Sequence, residues 1–407
     1  MGWRIVPLFM IYVGLAHFNR ISISVAGAEI ILPQKLLNEE QMGLVYSTFL
    51  FLYMLAMVPA GWFIDRRGPY AGWILLGIGS ALGSLMTGFV GHVWAGTALF
   101  LYSLLIFRGL MGSTNAPLHP AAARLVENWV PSKSRGLGNG LVTFAAMVGV
   151  ACTYIVFGKL IDLLGWINAF LATGAITAVI TIIWWQIGGD APLGSVIRSA
   201  KSESLHREWF SLLANRNLIC LTLSYGCMGY IQYLFFYWVQ YYFESVLKLS
   251  KDASRENTSL LILTMGVGMV LGGWLADRAI AKLGPRFGSI TVPVIGLLLG
   301  AAATVAGAFI TDAGMIVCCF AVAMGGIGLS EAAYWMVVVS IHRHRGGTAA
   351  AIMNTGGNAI GLLAPVMAPV LASHFGWQAV LYMASGVCTL AAGLWLGVKV
   401  ISPTNDA

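Results

Sequence analysis

Charge is scarce in this chain. Asp, Glu, Lys and Arg together make up 10% of 407 residues, against 58% hydrophobic residues, and mean hydropathy is +0.81. A soluble fold of this length needs far more charge on its surface, so a water-soluble globular class is excluded. Cysteine is also sparse. The six present, Cys152, Cys220, Cys227, Cys318, Cys319 and Cys388, sit in apolar runs without metal-ligand spacing, read as buried free thiols, and imply no redox function. No His-rich metal set and no Ser/His/Asp spacing is present, and the Gly-x-Gly occurrences fall inside apolar runs where a nucleotide loop has no place. An enzyme is therefore not expected, and neither is a metal or an organic cofactor. Short termini argue against a transport-derived sensor.

Long apolar runs are what the chain has in abundance. Twelve of them occur, at 3–29, 42–63, 70–92, 97–127, 138–160, 166–187, 217–244, 258–281, 289–311, 314–341, 346–373 and 377–400. A helix of about 20 residues crosses the roughly 30 Å hydrocarbon core, so the expectation is an all-α integral membrane protein. The first run contains Asn19 and Arg20 and has no cleavage site behind it, which reads as a retained helix.

The net charge of +7 is spread through short loops, so no nucleic-acid patch is expected. It reports orientation instead. Arg66, Arg67, Lys133, Arg135, Arg198, Lys201, Arg278, Lys282, Arg286, Arg343 and Arg345 fall on one side of twelve alternating helices, which the positive-inside rule makes cytoplasmic, together with both termini. Loops on the other side are read as carrying Glu29, Glu39, Glu40, Glu244, Asp252 and Glu256.

Two short patterns recur half a chain apart. Gly61-Trp62-Phe63-Ile64-Asp65-Arg66 is echoed by Gly273-Trp274-Leu275-Ala276-Asp277-Arg278, at 273 − 61 = 212 residues. Arg135-Gly136 is echoed by Arg345-Gly346, at 345 − 135 = 210. A shared period indicates a duplicated membrane unit. The expected division is a six-helix bundle over 1–187, a cytoplasmic linker over 188–216 rich in Gly, Pro, Ser and charge, and a second bundle over 217–407; Leu205–Leu213 has the pattern of an interfacial amphipathic helix.

Arg20 and Arg108 are the basic side chains well inside the runs. At 1.5 Å per residue they lie roughly 15 and 16 Å from the outer surface, a depth at which an arginine is costly enough to mark a functional site. A two-guanidinium clamp for a carboxylate follows; the alternative is an internal arginine–acid brace, and no acid of the first half lies at that depth. Gly112, Asn115 and His119 share a stripe with Arg108, and His17 and Ser24 share one with Arg20, while Tyr46 and Tyr53 share a face. Tyr225, Gln232, Asn354 and Asn358 offer hydroxyl and amide groups in the second half. Each alone is equally readable as packing; together they suit a carboxylate that also carries hydroxyls.

These residues carry a family resemblance. Gln41-Met42-Gly43-Leu44 through Asp65-Arg66-Arg67-Gly68 resembles the second helix and following loop of the major facilitator superfamily. Arg108-Gly109-Leu110-Met111-Gly112, Pro120-Ala121-Ala122, Trp129-Val130-Pro131 and Asn139-Gly140 resemble its anion:cation symporter branch, which includes sialin, vesicular glutamate carriers and bacterial hexuronate, galactonate and phthalate permeases. Tyr241-Tyr242-Phe243 and Met353-Asn354-Thr355-Gly356-Gly357-Asn358 extend the likeness to the second half.

The resemblance implies twelve transmembrane helices in two pseudo-symmetric six-helix bundles. It also implies a substrate cavity between them, alternating access by rocking, a monomer competent for transport, and the plasma (inner) membrane. Asp65, Arg66, Asp277 and Arg278 are implied as gating residues at the cytoplasmic helix ends. Branch members that couple to protons carry acids where this chain has Asn19 and Asn115. Glu331 is then the intramembrane acid expected to carry the proton, with His17 and His119 behind it, unless Glu331 is a fixed partner of Arg343 or Arg345. The expected function is proton-coupled uptake of a small organic anion, with an exchanger, uniporter or efflux carrier as the alternative.

Cysteines placed at Ser202 and at Asp252 are expected to label from opposite sides of the membrane. Labelling of both from one side contradicts the twelve-helix topology.

Overall fold

Hydrocarbon offers backbone groups no water, so a chain this apolar must satisfy its N–H and C=O groups internally, and helices are one of two ways to do so. The computed structural model describes residues 5–131, 135–190, 214–341 and 346–398. All regular structure among them is helical. In chain order the helices are α1 Val6–Ala26, α2 Glu39–Trp94, α3 Leu99–Asn115, α4 Leu118–Trp129, α5 Arg135–Cys152, α6 Gly158–Leu164, α7 Trp166–Ile187, α8 Arg216–Tyr241, α9 Lys251–Phe309, α10 Ala313–Ser340, α11 Gly346–Gly361 and α12 Leu363–Leu396. Single π-helical turns close α1 (Gly27–Ile31), join α5 to α6 (Thr153–Phe157) and close α8 (Tyr242–Val246).

Two of these helices are too long to be one span. The 56 residues of α2 would reach about 84 Å if straight, nearly three bilayer cores. The chain doubles back at Gly68, and α9 and α12 do so at Gly284 and Gly376. Eight stretches are long and apolar enough to cross a membrane. Dividing three of them at these glycines and adding α3–α4, which breaks at Ala116-Pro117, gives the twelve spans of two six-helix bundles.

The turns repeat with the spans. Gly68, Gly165, Gly284 and Gly376 have φ of 85°, 76°, 78° and 79° with ψ of 159°, 154°, 168° and 165°. That region is open essentially to glycine alone. Gly68 and Gly284 precede prolines, Gly165 and Gly376 precede tryptophans, and the intervals are 284 − 68 = 216 and 376 − 165 = 211 residues. Each half of the chain therefore contains the same two tight hairpins.

Close helix crossings repeat as well. A Cβ added at Gly112 of α3 would strike the Phe49 carbonyl of α2, and one added at Gly328 of α10 would strike the Met265 carbonyl of α9. Both partners are displaced by 216 residues (265 − 49 and 328 − 112). Small residues at these crossings bring backbones within van der Waals contact, which is how helices associate where lipid removes the hydrophobic driving force.

The described residues form two compact units. One lies within Met1–Ser199 and also contains Tyr237–Ser259; the other lies within Ala200–Phe236 and Leu260–Ala407. The end of α8 and the beginning of α9 thus belong to the first unit although they come from the second half of the sequence. Glu29 and Glu244, read from sequence as loop acids, sit in the π-helical turns, and Asp252 lies in the first turn of α9. The amphipathic stretch Leu205–Leu213 falls outside the described residues.

Asp190, in the stretch read from sequence as a linker, has a definite seat in the first unit. Its Oδ1 accepts from the Tyr70 N–H at 2.8 Å, capping the helix that restarts after Gly68, and its carbonyl accepts from Asn128 Nδ2 at 2.7 Å. Trp129 Nε1 donates to the neighbouring Gly189 carbonyl at 3.1 Å. A Cβ at Gly68 would run into the Asp190 carboxylate, whereas one at Gly376 meets nothing within 4 Å. Gly376→Ala is expected to cost only backbone strain, about 1–3 kcal/mol. Gly68→Ala loses the Asp190 cap as well, and should show the lower thermal midpoint in detergent. Equal midpoints would contradict this seat.

Candidate anion site

The first unit gathers its polar residues around one aromatic ring. Arg20 Cζ lies 5.2 Å from the centroid of Phe49 and 5.5 Å from that of Tyr53, and Arg108 Cζ lies 5.4 Å from Phe49. The Phe49 and Tyr53 rings are nearly parallel, 12° apart at 6.2 Å. Guanidinium over an aromatic face is an attraction that strengthens when water is excluded. Phe49 is fully buried and its backbone is pinned where Gly112 crosses it.

The two arginines have different surroundings. Arg108 Nη2 donates to the Arg20 carbonyl at 2.6 Å, and Nη1 donates to the Asn19 carbonyl and to Met111 Sδ at 3.4 and 3.3 Å. Its buried Nε has no partner, and no ion pair among the described residues involves it. Arg108 thus ties α3 to the backbone of α1 at the residue that carries the other guanidinium. The arginine–acid brace is not formed at Arg108; a backbone brace is.

The remaining candidates of this unit divide. The rings of His17 and His119 meet edge to face at 5.5 Å, and His17 Nδ1 lies 3.0 Å from the Val13 carbonyl. Asn19 turns to α7, donating to Thr177 Oγ1 at 2.6 Å, and Asn115 donates to Ser80 Oγ at 3.1 Å and to the Met111 carbonyl at 2.7 Å. Both asparagines are therefore committed to neighbouring helices. Tyr46 stacks on Tyr237 at 4.8 Å and meets Trp238 edge-on at 5.5 Å. It faces the end of α8, while Tyr53 joins Arg20.

The cassette residues pair in a way their spacing does not announce. Asp65 makes an ion pair with Arg124 of α4. Arg66 stacks over Trp62 at 3.8 Å, and Arg278 repeats this over Trp274 at 3.7 Å. Asp277 is exposed and makes no ion pair among the described residues.

In the second unit, Glu331 Oε1 accepts from Tyr225 Oη at 3.0 Å and from Trp335 Nε1 at 2.8 Å, and its buried Oε2 has no partner. No ion pair among the described residues involves it; Arg343 and Arg345 fall outside them. Tyr233 Oη donates to Asn358 Oδ1 at 2.7 Å, and Asn358 Nδ2 donates to the Asn354 carbonyl at 2.8 Å. Gln232 is half-exposed. Counting from the matched glycines, Glu331 stands where Asn115 stands in the first half, since 331 − 115 and 328 − 112 are both 216. The acid missing from α3 has a carboxylate counterpart in α10.

Sequence reading missed Phe49, Arg124, Tyr233 and Trp335. Phe49 shares the face of Tyr46 and Tyr53 at helical spacing, so its signal was present; Arg124 and Trp335 have none beyond their residue type.

Twelve apolar spans in two repeated halves, with two buried guanidiniums in the first, define a multi-pass membrane protein. Residues 9–365 match the Major Facilitator Superfamily, and the chain belongs to that family. The chain is 26% identical to a D-galactonate transporter of Escherichia coli, over 96% of this chain and 94% of that one. It is 26% identical to a probable sulfoacetate transporter of Cupriavidus necator, over 91% and 87%, and 24% identical to a probable galactarate/D-glucarate transporter of Bacillus subtilis, over 90% and 84%. Among solved structures, a bacterial homologue of the human lysosomal transporter Spinster superposes with TM-score 0.80 at 18% identity, over 98% of both chains. The inward-open xylose transporter of E. coli does so with TM-score 0.75 at 13% identity, over 100% and 98%. These two establish the fold.

The roles of the two arginines are separable. Arg108→Lys keeps the charge but loses the fork that reaches two successive carbonyls, so amide hydrogen exchange of α1 around Arg20 should accelerate; Arg20→Lys should leave it unchanged. Equal exchange in both variants contradicts the brace.

Proposed function

We propose that this transporter carries a small organic acid anion, a sugar acid or a comparable carboxylate, by proton-coupled uptake. The observation that carries this reading is the pair of guanidiniums around Phe49, one of them, Arg108, without a carboxylate. A buried cation whose charge is not cancelled by the protein suits an anionic ligand, and guanidinium matches carboxylate bidentately. The named relatives support the same class, since galactonate, galactarate, glucarate and sulfoacetate are all acid anions.

In this reading Arg20 and Arg108 receive the carboxylate, with Tyr53 and Phe49 as walls and Asn19, Asn115 and Tyr46 around them. Tyr225, Gln232, Asn354 and Asn358 are assigned to hydrogen bonds with the hydroxyl-bearing remainder. Glu331 is assigned to the proton, with His17 and His119 as the second choice. Asp65, Arg66, Asp277 and Arg278 are assigned to gating. The working division is a bundle over 1–187, a linker over 188–216 and a bundle over 217–407. Both termini are placed on the cytoplasmic side of the inner membrane, and a monomer suffices.

Uptake into proteoliposomes tests this, using a panel of labelled monocarboxylates, sugar acids and aromatic acids with and without a pH gradient. Arg20→Gln and Arg108→Gln should abolish transport in protein that still folds. Glu331→Gln should lose pH-driven accumulation and keep exchange, because exchange moves no net proton. Unchanged concentrative uptake in that variant removes Glu331 from coupling, and loss of exchange as well makes its role structural.

A further inference from the structure

Three helices of the first unit end or break in π-helical turns, at Gly27–Ile31, Thr153–Phe157 and Tyr242–Val246, and all three border one charge cluster. Such turns are uncommon and concentrate at functional positions. At the centre is Arg255 of α9, 2% exposed. Its Nε and Nη2 donate to the two oxygens of Glu29 at 2.7 and 2.6 Å; Nη1 and Nη2 donate to the two oxygens of Asp162 at 2.5 and 3.0 Å; and Nη1 reaches Asp252 at 3.3 Å. All five N–H donors of the guanidinium are committed. Gly158 leaves the room, because a Cβ there would strike the Arg255 side chain.

A fourth acid, Glu244, makes no ion pair with that guanidinium among the described residues. Gln240 Nε2 donates to Glu29 Oε1 and to Glu244 Oε1, each at 2.8 Å, so the two carboxylate oxygens are at most 2.8 + 2.8 = 5.6 Å apart. Gln240 is 1% exposed, and its Oε1 is buried with no hydrogen-bond partner. Other charged groups border the cluster. Asp162 lies on α6, Lys251 and Asp252 stand at the head of α9 with Lys251 acting electrostatically on Glu244, and Glu39 of α2 accepts from Tyr241 Oη.

We propose that Glu244 is a proton-binding residue, which holds a proton while Tyr237–Ser259 is seated on α1 and α6 and releases it to water when that segment lifts away. Two carboxylates flanking one amide nitrogen do not both stay ionised at low cost. Glu29 takes two hydrogen bonds from the Arg255 guanidinium, whereas Glu244 is hydrogen-bonded by a neutral amide and feels Lys251 and Arg255 only from a distance. A protonated Glu244 also supplies the kind of O–H donor that buried Gln240 Oε1 lacks. Glu244 travels with the segment and Glu29 stays on α1, so separation removes the like charge that made the proton necessary. With Asn19 and Asn115 unable to titrate, this site gives the chain a proton acceptor in the first unit. The proposal takes the alternating-access motion from the reading above, and its test needs no substrate.

Ser254, fully buried in the seated segment, provides the reporter. In full-length protein in nanodiscs, with native cysteines replaced, Ser254→Cys is labelled by a membrane-impermeant maleimide, and its rate is normalised to that of Lys248→Cys on the exposed turn. The normalised rate should fall as pH is lowered, by up to about tenfold per pH unit, the slope of one linked proton. Glu244→Gln should give a low, pH-independent rate. Glu244→Asp should keep the pH response with a displaced midpoint. An unaltered pH response in Glu244→Gln overturns the proposal, as does a response that follows sodium against choline instead of pH. Failure of the anion assignment would leave these rates untouched.

Discussion

Burying a guanidinium away from water is the cost around which this molecule is arranged. Arginine cannot shed its charge, so each buried one needs its compensation built into the fold. Three solutions are visible. Arg255 is met by carboxylates until every donor is used. Arg108 is met by backbone carbonyls, a thioether and a ring. Arg20 lies over the rings of Phe49 and Tyr53. The first solution cancels charge, and removing one partner of such a buried pair costs about 3–5 kcal/mol, as suits a contact that holds a segment in place. The second leaves the charge of Arg108 without a carboxylate among the described residues, which is the basis of the anion role proposed for it.

The helical scaffold serves these arginines through its small residues. Gly112 lets α3 lie against the backbone of Phe49, which sets the ring that both Arg20 and Arg108 approach. Gly158 does the corresponding service for Arg255. Four hairpin glycines in one backbone conformation, two in each half, hold the helix pairs in register. The same geometry places Glu331 in the second half where Asn115 stands in the first, so the duplicated halves have diverged at a titratable position while keeping their crossings.

Much of the architecture was legible because hydropathy and charge are strong signals in a membrane chain. The twelve runs, the half-chain period of the Gly-Trp-x-x-Asp-Arg cassettes and the unusual depth of Arg20 and Arg108 all follow from residue type and spacing. What was illegible depends on partners distant in sequence. Nothing local says that Asn19 meets Thr177, that Asp65 meets Arg124, or that Asp190 caps the helix after Gly68. Glu244 reads as an ordinary charge of an outer loop and Arg255 is not singled out at all, because π-helical turns have no compositional signature and 226 residues separate Glu29 from Arg255. Phe49 could have been placed on the face of Tyr46 and Tyr53 by its spacing, but nothing in the sequence marks one apolar ring as the one two cations approach.

The central claim is that the buried guanidiniums recognise the negative charge of the ligand and not its shape. It is tested most directly by equilibrium binding to the purified protein of a sugar acid and of its neutral amide, which differ little except in charge. Loss of the charge-assisted hydrogen bonds should weaken the amide by roughly 3 kcal/mol or about a hundredfold. Comparable affinity for the acid and its amide would contradict the account.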